Sequence, residues 1–255
     1  GTMTVGGVSY PAHFFAWGRQ VVRGIAWELV HKTLTETHRP IPRPEDGSKH
    51  VLVNFPIFAA LADEAALAAG VEILFHAMPA EVSFSGDRWD LRICTKSGLQ
   101  SVRTRVLIDA TGDANAVALA GFELERPEHV QPGTLTFSCS GYDAEALDYE
   151  ALKSSSEQAV DAGEIRITDI AWHRNGPESL LRKHGINANH VRTPAAYTSE
   201  GRTLAEIEGR KALLRAYRFL RKQPGLGNFN IDWVCPEIGI RETVTIRGKH
   251  TITSD

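Results

Sequence analysis

The sequence predicts an α/β fold of mixed α+β character. A sheet strand is reached through a three-stranded antiparallel meander, and a second, antiparallel region carrying helices follows. Three observations point there. Residues 54–70 have a helical pattern with signals at both ends. Residues 71–110 hold four short strand patterns in succession. Residues 134–140 then switch to strict two-residue alternation. The 255 residues suffice for one large domain or two smaller ones.

Residues 1–18, rich in glycine and small side chains, read as a loop. A helix is expected over residues 19–35, where Val22, Ile25, Leu29 and Val30 share a face. Three prolines in residues 38–50 give a surface loop. Over 54–70, Asn54 can cap, Pro56 sits in the first turn and Gly70 closes the helix. Residues 71–76, "VEILFH", are an apolar run of the kind that forms a buried strand. Gly86 and Asp87 join the next two strands, and Lys96, Ser97 and Gly98 turn the chain into a strand over 99–110. A short helix ending at Gly121 follows the Ala110-Thr111-Gly112-Asp113 turn.

In the second half, Leu135, Phe137 and Cys139 alternate with hydroxyl residues, which predicts a half-exposed antiparallel strand. Residues 143–162 are expected to be helical and 164–173 to be a strand. Thr203 and Glu206 form a capping-box pattern that would open a basic helix to Lys222, with Ile207, Leu213, Tyr217 and Leu220 inward. A late strand is expected over 238–247. The change of pattern places a domain boundary between Gly121 and Gly133. The expected division is 1–125, then 126–237, with 238–255 returning to the first domain.

Composition narrows the function. A net charge of −3 gives no global basic field, so neither nucleic acid nor an acidic membrane is expected as a partner. No apolar run is long enough to span a bilayer. Cys94, Cys139 and Cys235 make no CxxC and no even framework, which fits a reducing cytoplasm and core positions. HExxH, GxSxG and GxxxxGK[ST] are all missing, and the ten histidines show no metal-ligand spacing, so no metal is expected. The basic helix over 202–222 could grip phosphates or nucleic acid, or be a solvated amphipathic helix; the acidic balance favours the second.

The turn at 110–113 carries more. Gly112 permits close backbone approach, and Ala110 and Thr111 leave room beside it. Asp113 can cap the following helix, whose first amides favour an anionic group such as a pyrophosphate. Alone, the motif fits a plain tight turn as well as a ligand site.

The segment 71–122, with its "GVEI" opening, its meander and its "IDATGD" exit, resembles the FAD-dependent oxidoreductases of the glutathione-reductase-like flavin fold. The likeness extends to "GTMTVGG" at residues 1–7, "VVRGIAWELV" and "QPGTLTFS", then to the helix beginning at Arg202 and "GIRETVTIRGKHTIT". It implies a partial FAD/NAD(P)-binding domain with a β-meander crossover and an antiparallel-sheet substrate domain. It also implies FAD as cofactor and a small-molecule substrate. By the same resemblance Gly1, Thr2, Thr4 and Gly6 would line the flavin, and Ala110, Thr111, Gly112 and Asp113 would pack near the adenosine-diphosphate half. Pro79 and Ala80 would meet the adenine, with any backbone contact shifted to Ala80 because Pro79 has no N–H. Arg241 is the expected catalytic residue, its charge favouring developing negative charge, or else a residue of the domain junction. The family's N-terminal GxGxxG unit and its C-terminal flavin-contacting segment are missing, so an internal portion of a longer protein is expected. The alternative function is a non-catalytic remnant without cofactor, or an anion- or nucleic-acid-binding module using the basic helix.

Overall fold

A computed structural model of the chain describes residues 5–7, 14–46, 51–172, 176–185, 187–193 and 195–250. The first elements are a hairpin of β1 (Phe15–Ala16) and β2 (Arg19–Gln20), closed by Trp17 and Gly18, both left-handed. Helix α1 (Ile25–Glu36) therefore starts later than the apolar spacing predicts, because residues 19–20 pair in the hairpin and Gly24, at φ 73°, breaks the chain before Ile25. Val30 and Leu34 bury against Phe14, Phe15, Val51 and Val53, and Trp27 packs its ring on both phenylalanines. Helix α2 (Phe55–Ala68) forms as expected: Asn54 Oδ1 accepts from Ile57 N at 3.3 Å, and Pro56 lies in the first turn.

The meander also forms. Strands β3 (Met78–Ser85), β4 (Arg88–Thr95) and β5 (Gly98–Thr104) make a three-stranded antiparallel sheet in sequence order. Its register slips between Pro79 and Glu81, which face Ile93 and Arg92, so Ala80 has no partner across the ladder. Proline, lacking an N–H, is at home beside such a bulge.

The flanking apolar runs do not behave as buried strands. Residues 71–76 and 105–110 have no regular structure, and Phe75 (63%), Val106 (70%) and Ile108 (81%) are largely exposed. An apolar strand is buried only between neighbours and under cover on both faces, and among the described residues no strand pairs with either run. Helix α3 (Asn115–Leu119) begins after Ala114, itself left-handed at φ 52°, and packs on β3.

In the second half, β6 (Leu124–Glu125), β7 (Gly133–Thr134) and β8 (Phe137–Ser140) lead into helices α4 (Tyr149–Asp161), α5 (Ile167–Ile170) and α6 (Glu178–Arg182). Then come β9 (His190–Val191), helix α7 (Ser199–Leu220), β10 (Asn230–Val234) and β11 (Thr245–Ile246). The pairs β7–β9, β8–β10 and β6–β11 are antiparallel. Phe137, Cys139, Leu181, Leu220, Leu226 and Phe229 share the main core, and Leu135, Ala212, Ile238 and Ile240 a second.

Several expectations change here. The hydroxyl face of 134–140 is not solvent-facing throughout: Thr134 and Thr136 are fully buried under the segment 235–239. No strand forms over the described residues 164–172 of the strand expected at 164–173, and Ile167–Ile170 make helix α5 instead. Asp169 accepts from Arg166 N at 2.9 Å and from Arg215 Nε at 2.8 Å, which closes a helical turn. Helix α7 opens at Ser199, capped by Thr198 Oγ1, and Thr203 bonds back to Ser199 O inside it. Its inward face is built from small residues, Ala205, Gly209, Ala212 and Ala216, with Phe219 and Leu220, while Ile207 faces outward at 43% exposure. A helix lying close on a strand selects small side chains: a Cβ at Gly209 would already be 3.4 Å from Leu135. Residues 238–247 pair as a strand only at β11, although Thr134 and Gly239 bridge.

Candidate active site

The turn at 110–113 is organised by Asp109, one residue before it. Its Oδ1 accepts from Thr111 N at 2.9 Å and from Thr111 Oγ1 at 2.7 Å, while Oδ2 accepts from Val117 N at 3.0 Å. Burial acts to raise this carboxyl. The bonds from Thr111 and from the first amides of α3 outweigh it and hold Asp109 below its ordinary value. Thr111 Oγ1 in turn accepts from Asn115 N at 3.0 Å. The expected cap, Asp113, is thus not a cap, because Asp109 and Thr111 already serve the helix start. Asp113 instead reaches across the molecule: Oδ2 takes Arg202 Nη2 of α7 at 2.5 Å and Oδ1 takes Thr243 Oγ1 at 2.8 Å. Ala110, Thr111 and Gly112 stay exposed. Gly112 is left-handed at φ 83°, and a Cβ there would point into open space. A ligand can therefore lie against this turn without displacing protein atoms.

Two residues from Thr243, Arg241 is half-buried. Nη1 donates to Pro132 O and Nη2 to Asn187 Oδ1, both at 2.6 Å. Burial lowers its pKa, yet a guanidinium starts so high that it keeps its charge. His190, whose imidazole feels the Arg241 charge, is 2% exposed, with Nδ1 2.9 Å from Thr134 Oγ1. Burial, aided by the Arg241 charge, pulls its imidazole down to about 4, so it is neutral at pH 7. The Trp172 ring stacks on it at 4.0 Å between centroids. His190 Nε2 and Thr193 Oγ1 are buried with no partner among the described residues, and both residues line a cavity of about 850 Å³.

A second cavity, about 590 Å³ and mostly apolar, lies beside Val5 and Gly7. Gly7 is left-handed at φ 65°. A Cβ on it would meet Cys235 Sγ at 2.4 Å and Thr136 Cβ at 3.2 Å, so glycine is required for the loop to lie on this wall. Gly6 beside it is buried. The stretch 132–136 joins the two cavities: Pro132 holds Arg241, Thr134 meets His190, and Thr136 faces Gly7. The face that alternation assigned to solvent is the one that organises the site.

Of the expected site residues, the structure brings Asp113 and Arg241 together through the segment 241–243. Pro79 and Ala80 lie on β3, against which α3 packs. Gly6 is buried between Val5 and Gly7, which line the apolar cavity. Gly1, Thr2 and Thr4 lie outside the described residues. Sequence reasoning missed Asp109, which the Asx-turn pattern Asp-x-Thr-Gly could have revealed. It also missed His190 and Trp172, which nothing in a list of ten histidines singles out.

The cations of α7 are largely committed within the chain. Arg202 pairs with Asp113, Arg210 with Glu206 and Arg215 with Asp169 and Glu208, and just past the helix Lys222 pairs with Glu164. Among the described residues no group of three or more His, Cys, Asp or Glu could hold a metal, and no helix is long and apolar enough to cross a membrane. No curated protein matches the chain. One family model does, over residues 1–255: FAD dependent oxidoreductase.

Proposed function

The chain belongs to the FAD dependent oxidoreductase family, and from that premise we propose that it is an enzyme oxidising or reducing a small molecule through bound FAD. FAD is the family's cofactor, and it would supply the two-electron chemistry. The chain's own residues would position cofactor and substrate. The turn of Ala110, Thr111 and Gly112 presents an open, small-residue surface to the cofactor, stiffened by Asp109. Pro79 and Ala80 stand on the strand behind it, and the loop with Gly6 borders the ring-binding side. Arg241, desolvated and held by two acceptors, sets a fixed positive charge where negative charge develops during reduction.

The observation that carries this reading is the pair of hydrogen bonds that Asp113 accepts from Arg202 and Thr243. They tie the exposed turn to the segment bearing Arg241, so binding at one reaches the other. A plain strand-to-helix turn has no need of a partner 89 residues away and another 130 away. The paired state of the α7 cations leaves less free positive charge for a nucleic-acid interface than the sequence suggests. The test is Gly112→Val, which places a branched side chain in the open space beside the turn. FAD affinity is expected to fall at least tenfold in a variant that still folds, its melting temperature lowered by the strain of a β-branched residue at φ 83°. An unchanged affinity in a folded variant removes the turn from the cofactor site.

A further inference from the structure

The apolar cavity beside Gly7 has a charge pattern of its own. Leu52, Val53, Phe55, Trp233 and Val234 make much of its wall, with Phe55 and Trp233 edge to face at 6.3 Å. Two cations, Arg39 and Lys183, also line the cavity, and no acidic residue lines it among the described residues. Arg39 Nη1 donates to Leu52 O at 3.3 Å, and neither cation has a carboxylate partner among the described residues. The first turn of α2, positive by its backbone dipole, also borders the space through Asn54, Phe55 and Pro56. Thr136, 1% exposed, lines it with a hydroxyl that finds no partner among the described residues. Cys235 adds no negative charge, since burial pushes its thiol up.

We propose that this cavity binds the substrate, and that the substrate is an organic anion: a flat apolar body bearing a carboxylate. The inference rests on the oxidoreductase reading and adds its substrate class. About 590 Å³ suits a body of two fused rings with room for a short chain. The aromatic and aliphatic wall takes that body, and Arg39 offers the planar fork that a carboxylate accepts, with Lys183 as a second point charge. A cationic ligand would face two like charges without compensation. A sugar would leave its hydroxyls against apolar side chains.

The test uses 2-naphthoate and its neutral counterpart 2-naphthamide, titrated calorimetrically into the chain with and without FAD. The acid is expected to bind at least tenfold more tightly than the amide. Lys183→Gln and Arg39→Gln should each weaken the acid about three- to tenfold and leave the amide unchanged, while Lys211→Gln on the outside of α7 changes neither. Trp233 fluorescence should follow the acid's binding curve, and the signal should vanish in Trp233→Phe. Equal affinity for acid and amide, or indifference to both charge removals, overturns the proposal. Release of FAD as the acid binds also overturns it, by giving the cavity to the cofactor. A chain that holds no FAD defeats the oxidoreductase reading through its own spectrum, while the preference of acid over amide still decides the cavity's chemistry.

Discussion

Replacing Asp113 by alanine removes the contact on which the site's geometry turns. The carboxylate takes one bond from Arg202 at 2.5 Å and one from Thr243 at 2.8 Å. Thr243 is 5% exposed, so its hydroxyl is left buried and unpaired, at about 1–3 kcal/mol. Arg202 keeps its bond to Ala196 O at 3.1 Å, and its side chain is 35% exposed, so the lost ion pair is partly screened and adds about 1 kcal/mol. The total is about 2–4 kcal/mol, read as a lower urea midpoint. A double-mutant cycle with Arg202→Met isolates the pair, with an expected coupling of about 1 kcal/mol. Flavin fluorescence titration of the same variants should show FAD binding weakened about tenfold, because the turn is no longer held to the segment of Arg241. A coupling near zero together with unaltered FAD affinity would refute the clamp as an organiser of the site.

Other outcomes follow from the same contacts. Arg215→Met leaves the Asp169 carboxylate, 1% exposed, without its principal cation, and unfolding free energy should drop by about 3–5 kcal/mol in urea melts. His190 binds its proton more weakly folded, at about 4, than unfolded, near 6.5, so its contribution is complete above pH 6.5 and is lost as pH falls toward 4. His190→Asn should flatten the stability profile across that window. Asp109, whose folded value is depressed, stabilises the fold above its ordinary value of 3.8 and loses that contribution as pH falls through its lower folded value. Asp109→Asn should accordingly blunt the acid end of the unfolding curve. Gly7→Ala should lower the melting temperature, since its Cβ would stand 2.4 Å from Cys235 Sγ with φ at 65°.

Local signals in the sequence were legible where short-range physics decides. Asn54, Pro56 and Gly70 bound α2 correctly, and the Gly86 and Gly98 turns set the meander. Where long-range contacts decide, local pattern misled. Apolar runs at 71–76 and 105–110 look like core strands, yet burial depends on neighbours that a window of six residues cannot report. Residues 164–172 look extended until Asp169 meets Arg215, 46 positions away, and closes a helical turn. Of the large side chains expected inward on α7, Leu220 is buried and Leu213 and Tyr217 pack on the core, but Ile207 faces outward, and close packing on Leu135 selects Gly209 beside them. The same holds for the site. "IDATGD" and Arg241 stood out by their types and company. His190 became visible only when burial, Trp172 and Thr134 were seen around one ring.

The central claim is that this chain is built to hold FAD at the turn of residues 110–113. The visible absorption spectrum of the purified protein, recorded before and after adding FAD and again after denaturation, tests it most directly. The account predicts a saturable flavin spectrum, perturbed from that of free FAD and released on unfolding, and weakened in Asp113→Ala. A folded, colourless protein whose spectrum is the plain sum of protein and added FAD would contradict it.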